Sequence, residues 1–210
     1  MERRGFLKLA ATGSLLGFLG IKSGILNASE PTSSIAKNDL VAVMGGEPEA
    51  MYEKAIAAMG GMSRFVKRGQ KVVVKPNIGW NKKPEEAANT NPLLVAAIVK
   101  DCLKAGASEV VVFDHTCDAW MACYKNSGIE AAAKAAGARI AFGHDEKYYK
   151  SVTIPNGVRL KETKIHEEIL NCDVWINVPI LKNHGGAKMT IGMKNFMGIV
   201  WDRRYWHAND

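Results

Sequence analysis

The chain has 210 residues, with 28 lysines and arginines against 21 aspartates and glutamates, for a formal charge of +7. Residues 1–28 carry Arg3, Arg4, Lys8 and Lys22 against Glu2, so without them the charge falls by three to +4. That balance, with no Lys/Arg run in the remainder, excludes a nucleic-acid footprint, and four scattered cysteines exclude a disulfide scaffold.

The opening Met1-Glu2-Arg3-Arg4-Gly5-Phe6-Leu7-Lys8 runs into a weakly apolar stretch from Leu9 to Leu26. A paired arginine followed by such a stretch is the pattern of a twin-arginine export signal, although Glu2 stands where Ser or Thr usually precedes the arginines. Gly13, Gly17, Gly20, Gly24 and Lys22 dilute the segment, which makes it a poor membrane-spanning helix. Leu26-Asn27-Ala28 offers a cleavage point. An uncleaved N-terminal anchor is the competing reading. The expectations are a twin-arginine translocase as partner, export of the folded chain, a periplasmic location and no stable membrane span after processing. Residues 29–38 read as a polar linker, leaving 39–210 as one domain large enough for a sizeable core.

Within that domain, strand and helix signals alternate. Leu40–Met44 reads as a short strand and 49–66 as a helix weakened at Gly60-Gly61. Lys71–Val74 is a β-branched run of the kind buried on both faces. Asn91-Pro92 places a cap and a first-turn proline before a helix over 93–103, which Gly106 stops. Val110–Phe113 is a second buried strand. An Ala-rich helix over 129–136 and a strand over 138–142 follow. Pro155-Asn156-Gly157 predicts a hairpin between Val152–Ile154 and Val158–Leu160, and Val174–Val178 is the last clear strand. This order predicts an α/β fold, a mainly parallel sheet covered by helices in a Rossmann-like three-layer arrangement with a small hairpin insertion.

Polar residues cluster where three buried strands finish: Lys75-Pro76-Asn77, Asp114-His115-Thr116, and Pro179 followed by Lys182-Asn183-His184. In an open parallel sheet the strand C-termini share one edge, where ligands bind, so neighbouring strands would gather these groups at one pocket. Gly185-Gly186 then forms a turn, and Thr190 to Asn195 is expected to open a helix reaching Gly198. Its free N–H groups and positive end favour an anion, with Thr190 and Lys194 on one face. Lys75, Asn77, Lys182, Thr190, Lys194 and Asn195 are therefore the candidate ligand-binding residues for a small anionic molecule. His115, His184, Lys182 and Asp114 are the candidate catalytic ones.

Plainer readings compete. Lys-Pro-Asn after a strand is ordinary turn chemistry, and Asp114-His115-Thr116 also suits a loop entering a helix. His144, His166 and His207 are expected to be solvated, and the stretch from Asp118 to Tyr124 to pack over the pocket mouth. Cys102 and Cys172 read as core residues. Cys117 and Cys123 are open to burial, to pairing or to a ligand role. No nucleophile elbow, zinc-protease motif, phosphate loop or dinucleotide fingerprint occurs.

Val72-Val73-Val74-Lys75-Pro76-Asn77, Thr90-Asn91-Pro92, Ala105-Gly106-Ala107, Ser127-Gly128-Ile129 and Asn177-Val178-Pro179 together resemble the domain of unknown function 362 family. The most specific stretch is Leu181-Lys182-Asn183-His184 through Thr190, Lys194, Asn195 and Gly198, similar to the family's Lys-x-His…Thr…Lys-Asn-x-x-Gly signature. The resemblance covers about 39–201. It implies a possible iron–sulfur or other metal cofactor, since some members are fused to ferredoxin-type modules; no such cysteine motif occurs in this chain. It also implies further sequence beyond the signature, so a chain incomplete at its C-terminus is expected.

Two function classes follow. In the first, an exported enzyme or cofactor-handling protein acts on a small anion that Lys75, Lys182 and Lys194 neutralise. His115 or His184 transfers a proton, Asp114 orients a neighbour or binds metal, and a lysine of lowered pKa serves as base or Schiff-base former. In the second, the same residues belong to a non-catalytic binding module for an anion, metal or cofactor.

Overall fold

The computed structural model describes residues 38–209. The segment expected to be a twin-arginine leader, 1–28, and nearly all of the expected 29–38 linker lie outside them. In chain order the elements are α1 (Pro48–Ala58), β1 (Lys71–Pro76), α2 (Pro92–Lys104), β2 (Glu109–Val112), α3 (Trp120–Asn126), α4 (Ile129–Ala135) and β3 (Arg139–Ile140). They continue with β4 (Tyr149–Thr153), β5 (Glu162–His166), α5 (Glu167–Leu170), β6 (Val174–Val178), β7 (Lys182–His184), β8 (Lys188–Thr190), α6 (Gly192–Asn195) and α7 (Arg203–Asn209). Among the described residues, no helix is long and apolar enough to cross a membrane.

The central sheet has strand order β3-β2-β1-β6, and every pairing is parallel. Its Val-rich strands are covered on both faces, as their continuous β-branched runs require. Val72, Val74, Val110 and Val112 meet residues of α2, α3 and α4, among them Val95, Ile98, Val99, Tyr124 and Ile129, with Tyr52 and Ile56 of α1 at the margin. Val73, Val111 and Phe113 face the other way, onto Ile165, Ile169, Ile199, Val200 and Trp206. The result is the three-layer α/β arrangement expected from the alternating elements. The Asn91 cap forms as predicted, its side chain accepting from the N–H groups of Leu93 and Leu94.

Several local expectations are corrected. Residues 40–44 have no sheet partner, and Leu40 and Met44 are exposed. The first helix ends at Ala58 rather than running to Val66. Gly60 and Gly61 take φ of 95° and 80° there, a backbone state that ends a helix, and a single 3-10 turn follows at Met62–Arg64. The strand predicted over 138–142 shortens to two residues.

The hairpin insertion forms, but its second strand is β5 rather than Val158–Leu160. Buried Tyr149 pairs with buried His166 and sets that register, leaving Val158 out in solvent. His166, expected to be solvated, instead stacks on Phe113 with ring centroids 4.1 Å apart. Burial holds its imidazole below the ordinary range. The helix expected from Thr190 begins only at Gly192 and has four residues, because Thr190 closes the β7–β8 hairpin by donating to the Ile180 carbonyl. Thr190 and Lys194 therefore do not share a helical face, and no free helix N-terminus stands ready for an anion.

Candidate functional site

β1 lies between β2 and β6, so the tails of all three strands leave the sheet along one edge. A cavity of about 480 Å³ opens there, and Lys75, His115 and His184 all line it. Asn77, Asp114, Lys182, Thr190, Lys194 and Asn195 also contribute to its wall. Thr90 ties two strand ends together: its hydroxyl accepts from the Asn77 N–H at 2.8 Å and donates to the Val178 carbonyl at 2.8 Å.

The floor is a buried ion pair. Lys75 Nζ lies 2.6 Å from Asp114 Oδ1, with side-chain exposures of 0% and 2%. The ammonium also donates to Asn195 Oδ1 and to the Pro76 carbonyl, both at 3.0 Å, so its three protons all have partners. Asp114 Oδ2 accepts from the Ile78 N–H at 2.6 Å. The Tyr124 hydroxyl grips the Asp114 backbone at both its N–H and its carbonyl. Burial holds Lys75 below the usual lysine range and Asp114 above the usual carboxylate range, while each opposes the other's shift. Lys75, expected to neutralise a ligand, thus has its charge matched by Asp114, and the Asp114 carboxylate is itself balanced by Lys75.

Asn195 joins this floor to the neighbouring strand ends. Its Oδ1 accepts from Lys75 and from Asn77 Nδ2, and its Nδ2 donates to the Lys75 carbonyl and to Asn177 Oδ1 at 2.8 Å. Gly198, in the 3-10 turn over Phe196–Ile199, presses its backbone onto the ion pair. A Cβ there would lie 1.9 Å from Asp114 Oδ1 and 2.6 Å from Lys75 Nζ. The packing therefore requires glycine.

The two candidate histidines are held in opposite tautomers. His115 Nδ1 sits 2.9 Å from the Val200 carbonyl, so Nδ1 carries the proton and Nε2 is left as an acceptor. Its ring stacks on Trp201, and burial aided by nearby Arg203 pushes its pKa down to about 4, keeping the imidazole neutral at pH 7. His184 Nδ1 accepts from the N–H groups of Gly186 and Ala187, which leaves Nε2–H as a donor.

Lys82, also on the wall, is paired with Glu86 at 2.8 Å, whereas among the described residues Lys182, Lys194 and Arg203 have only neutral partners. Lys182 donates to Asn77 Oδ1 at 2.9 Å and to the Ala88 carbonyl, and burial lowers its pKa. Lys194 reaches His207 Nε2 at 3.2 Å. Arg203 was not foreseen from the sequence. It donates to the carbonyls of His115 and Thr116 and reaches Cys117 Sγ at 3.2 Å, spanning more than eighty residues in a way no local signal marks. Trp80 and His207 also line the cavity without having been candidate site residues, as do Gly198 of the signature and Cys117, for which a ligand role is one of the open readings.

A metal or iron–sulfur cofactor does not fit these residues. Among the described residues no three His, Cys, Asp or Glu side chains come together to hold an ion. Cys102 and Cys123 are buried in the apolar core, Cys172 is half-buried, Cys117 is exposed, and all four are free thiols.

The signature stretch now has a structural place: Lys182 and His184 on β7, Thr190 on β8, and Lys194, Asn195 and Gly198 around the cavity floor. The domain of unknown function DUF362 matches residues 72–210. The chain belongs to the DUF362 family. A relative, the thylakoid-associated protein sll1697 of Synechocystis sp., is 30% identical over 160 residues, covering 75% of this chain and 48% of that protein. The chain spans about half the length of this curated relative. The DUF362 match begins at Val72, on β1, and includes every candidate site residue.

Proposed function

We propose that the cavity seats a small anionic substrate for acid–base chemistry, in a protein exported folded by the twin-arginine route to the periplasm. One observation carries the anion: among the described residues, Lys182, Lys194 and Arg203 enter the wall without a carboxylate partner, and the one acid there, Asp114, is already neutralised by Lys75. Cations so placed favour carboxylate or phosphate oxygens through charge-assisted hydrogen bonds. His115 Nε2 supplies a proton acceptor and His184 Nε2–H a donor, the pairing that proton transfer on a bound anion needs. A non-catalytic anion-binding module is the second reading. Lys75 favours it, because its bonds to Asp114, Asn195 and Pro76 leave it unfit for nucleophilic work.

Titration of the purified chain with inorganic phosphate checks the anion site. Replacing Lys182 with alanine is expected to weaken binding about tenfold, the effect of one lost charge-assisted contact. Unchanged affinity in that variant and in Lys194→Ala would remove the reading. Arg3-Arg4 supports the export route, together with the weakly apolar segment that follows. Replacing the pair with Lys-Lys is expected to leave the protein in the cytoplasmic fraction of a host that has this pathway; undiminished export would refute the route.

A further inference from the structure

The geometry points to a planar aromatic acid as the ligand class: a phosphate or carboxylate carried on a flat ring that stacks on Trp80. This rests on the anion reading and goes beyond it. A volume of about 480 Å³ is in the range of sites for organic ligands, roughly 300–1,000 Å³. An inorganic oxyanion, with the bulk of a few waters of about 30 Å³ each, would leave most of it unfilled.

The wall that remains is apolar at Trp80 and Met197. Trp80 is 40% exposed, and among the described residues its ring meets no other ring. The other four tryptophans are used in packing. Trp120 stacks on His144, Trp175 lies against Phe196, Trp201 stacks on His115, and Trp206 packs with the cluster on the Val73–Val111 face of the sheet while donating to Thr163.

The backbone that carries Trp80 is nonetheless firmly held. The buried Asn89 side chain accepts from its N–H at 3.0 Å and donates to its carbonyl at 2.9 Å. The preceding Gly79 carbonyl accepts from the N–H groups of Cys117 and Asp118. A large aromatic side chain on a fixed backbone at a cavity wall, left without a ring partner among the described residues, is a stacking platform. The Lys182 ammonium stands over one side of the Trp80 ring, 5.8 Å from its centroid, so an aryl ring offset onto the rest of the indole or on its other face carries its acidic substituent towards Lys182.

Isothermal titration of the full-length chain with methyl phosphate, phenyl phosphate, acetate and benzoate tests the assignment. Each aryl acid is expected to bind about tenfold more tightly than its methyl counterpart, the scale of one stacked ring. The pair that binds identifies the head group. Trp80→Phe should keep the aryl preference. Trp80→Leu, apolar but not planar, and Trp80→Ala should both bring the ratio close to one. Equal affinity for aryl and methyl acids in the unmodified chain, or an aryl preference that survives in Trp80→Ala, would overturn the inference and leave the anion site standing. Binding of none of the four would overturn both.

Discussion

Replacing Asp114 with alanine is expected to lower the unfolding free energy by about 3–5 kcal/mol, because it strands the Lys75 ammonium in the interior. Lys75 has no exposed surface, and its other partners, Asn195 Oδ1 and the Pro76 carbonyl, are uncharged. The same substitution removes the acceptor of the Ile78 N–H. In a domain of this size such a loss lowers Tm by on the order of 10 °C. Lys75→Met should cost a similar amount by stranding the carboxylate, whereas Lys75→Met combined with Asp114→Leu should cost far less than the sum.

Asp114→Asn separates charge from hydrogen bonding, since the amide oxygen can still accept from Ile78. Without its carboxylate, Lys75 falls further below the ordinary value of 10.5. The sign follows. Between the depressed folded value and the ordinary one, the unfolded chain holds the proton that the folded chain has released. Stability of Asp114→Asn should therefore rise with pH through that window. Chemical denaturation at stepped pH checks both effects. A cost under about 1 kcal/mol for Asp114→Ala would place this pair with exposed pairs such as Glu130–Lys134 and contradict its role as the floor.

The second large effect is expected at Gly198. An alanine Cβ would stand 1.9 Å from Asp114 Oδ1 and 2.7 Å from Lys75 Cε, so either the ion pair parts or the 3-10 turn lifts. Lifting the turn also disturbs the Gly198 carbonyl, which accepts from the His115 N–H at 3.1 Å, and the Val200 carbonyl that fixes the His115 tautomer. Gly198→Ala should thus cost about 3 kcal/mol or more and abolish phosphate binding. Gly185→Ala is the control: nothing lies within 4 Å of its added Cβ, and its stability should stay within about 0.5 kcal/mol of the unmodified chain. Thermal melts alongside phosphate titration measure both. A Gly198→Ala protein that melts and binds normally would show that the turn does not press on the pair.

Much of the fold could be read from the chain because the interior strands announce themselves. Val72–Val74 and Val110–Phe113 are continuous apolar runs, and buried parallel strands need nothing else. The β7–β8 hairpin was missed for the opposite reason. Lys182-Asn183-His184 and Lys188-Met189-Thr190 have neither an apolar run nor a clean alternation, and Thr190 bonding back to Ile180 holds them together. Leu40–Met44 misled because an apolar run forms a strand only where a sheet edge receives it.

The site divides in the same way. Residues at strand ends were legible, because a polar cluster after a buried run has a fixed place in a parallel sheet. Their pairing was not. Val74 opposite Val112 sets Lys75 one step from its strand's paired end and Asp114 two, and only that register shows that they neutralise each other. Trp80 and Arg203 lie in segments whose placement depends on Asn89 and on the carbonyls of His115 and Thr116, contacts with no local signature.

The phosphate titration becomes most direct when it is followed on the side-chain imidazole resonances of ¹⁵N-labelled protein. His115 and His184 come from different strand tails and meet only if those tails enclose one ligand space. Both resonances should shift with a common midpoint as phosphate is added, while buried His166 stays still. Movement of one ring without the other, or of neither while phosphate binds, would contradict a single anion cavity at this sheet edge.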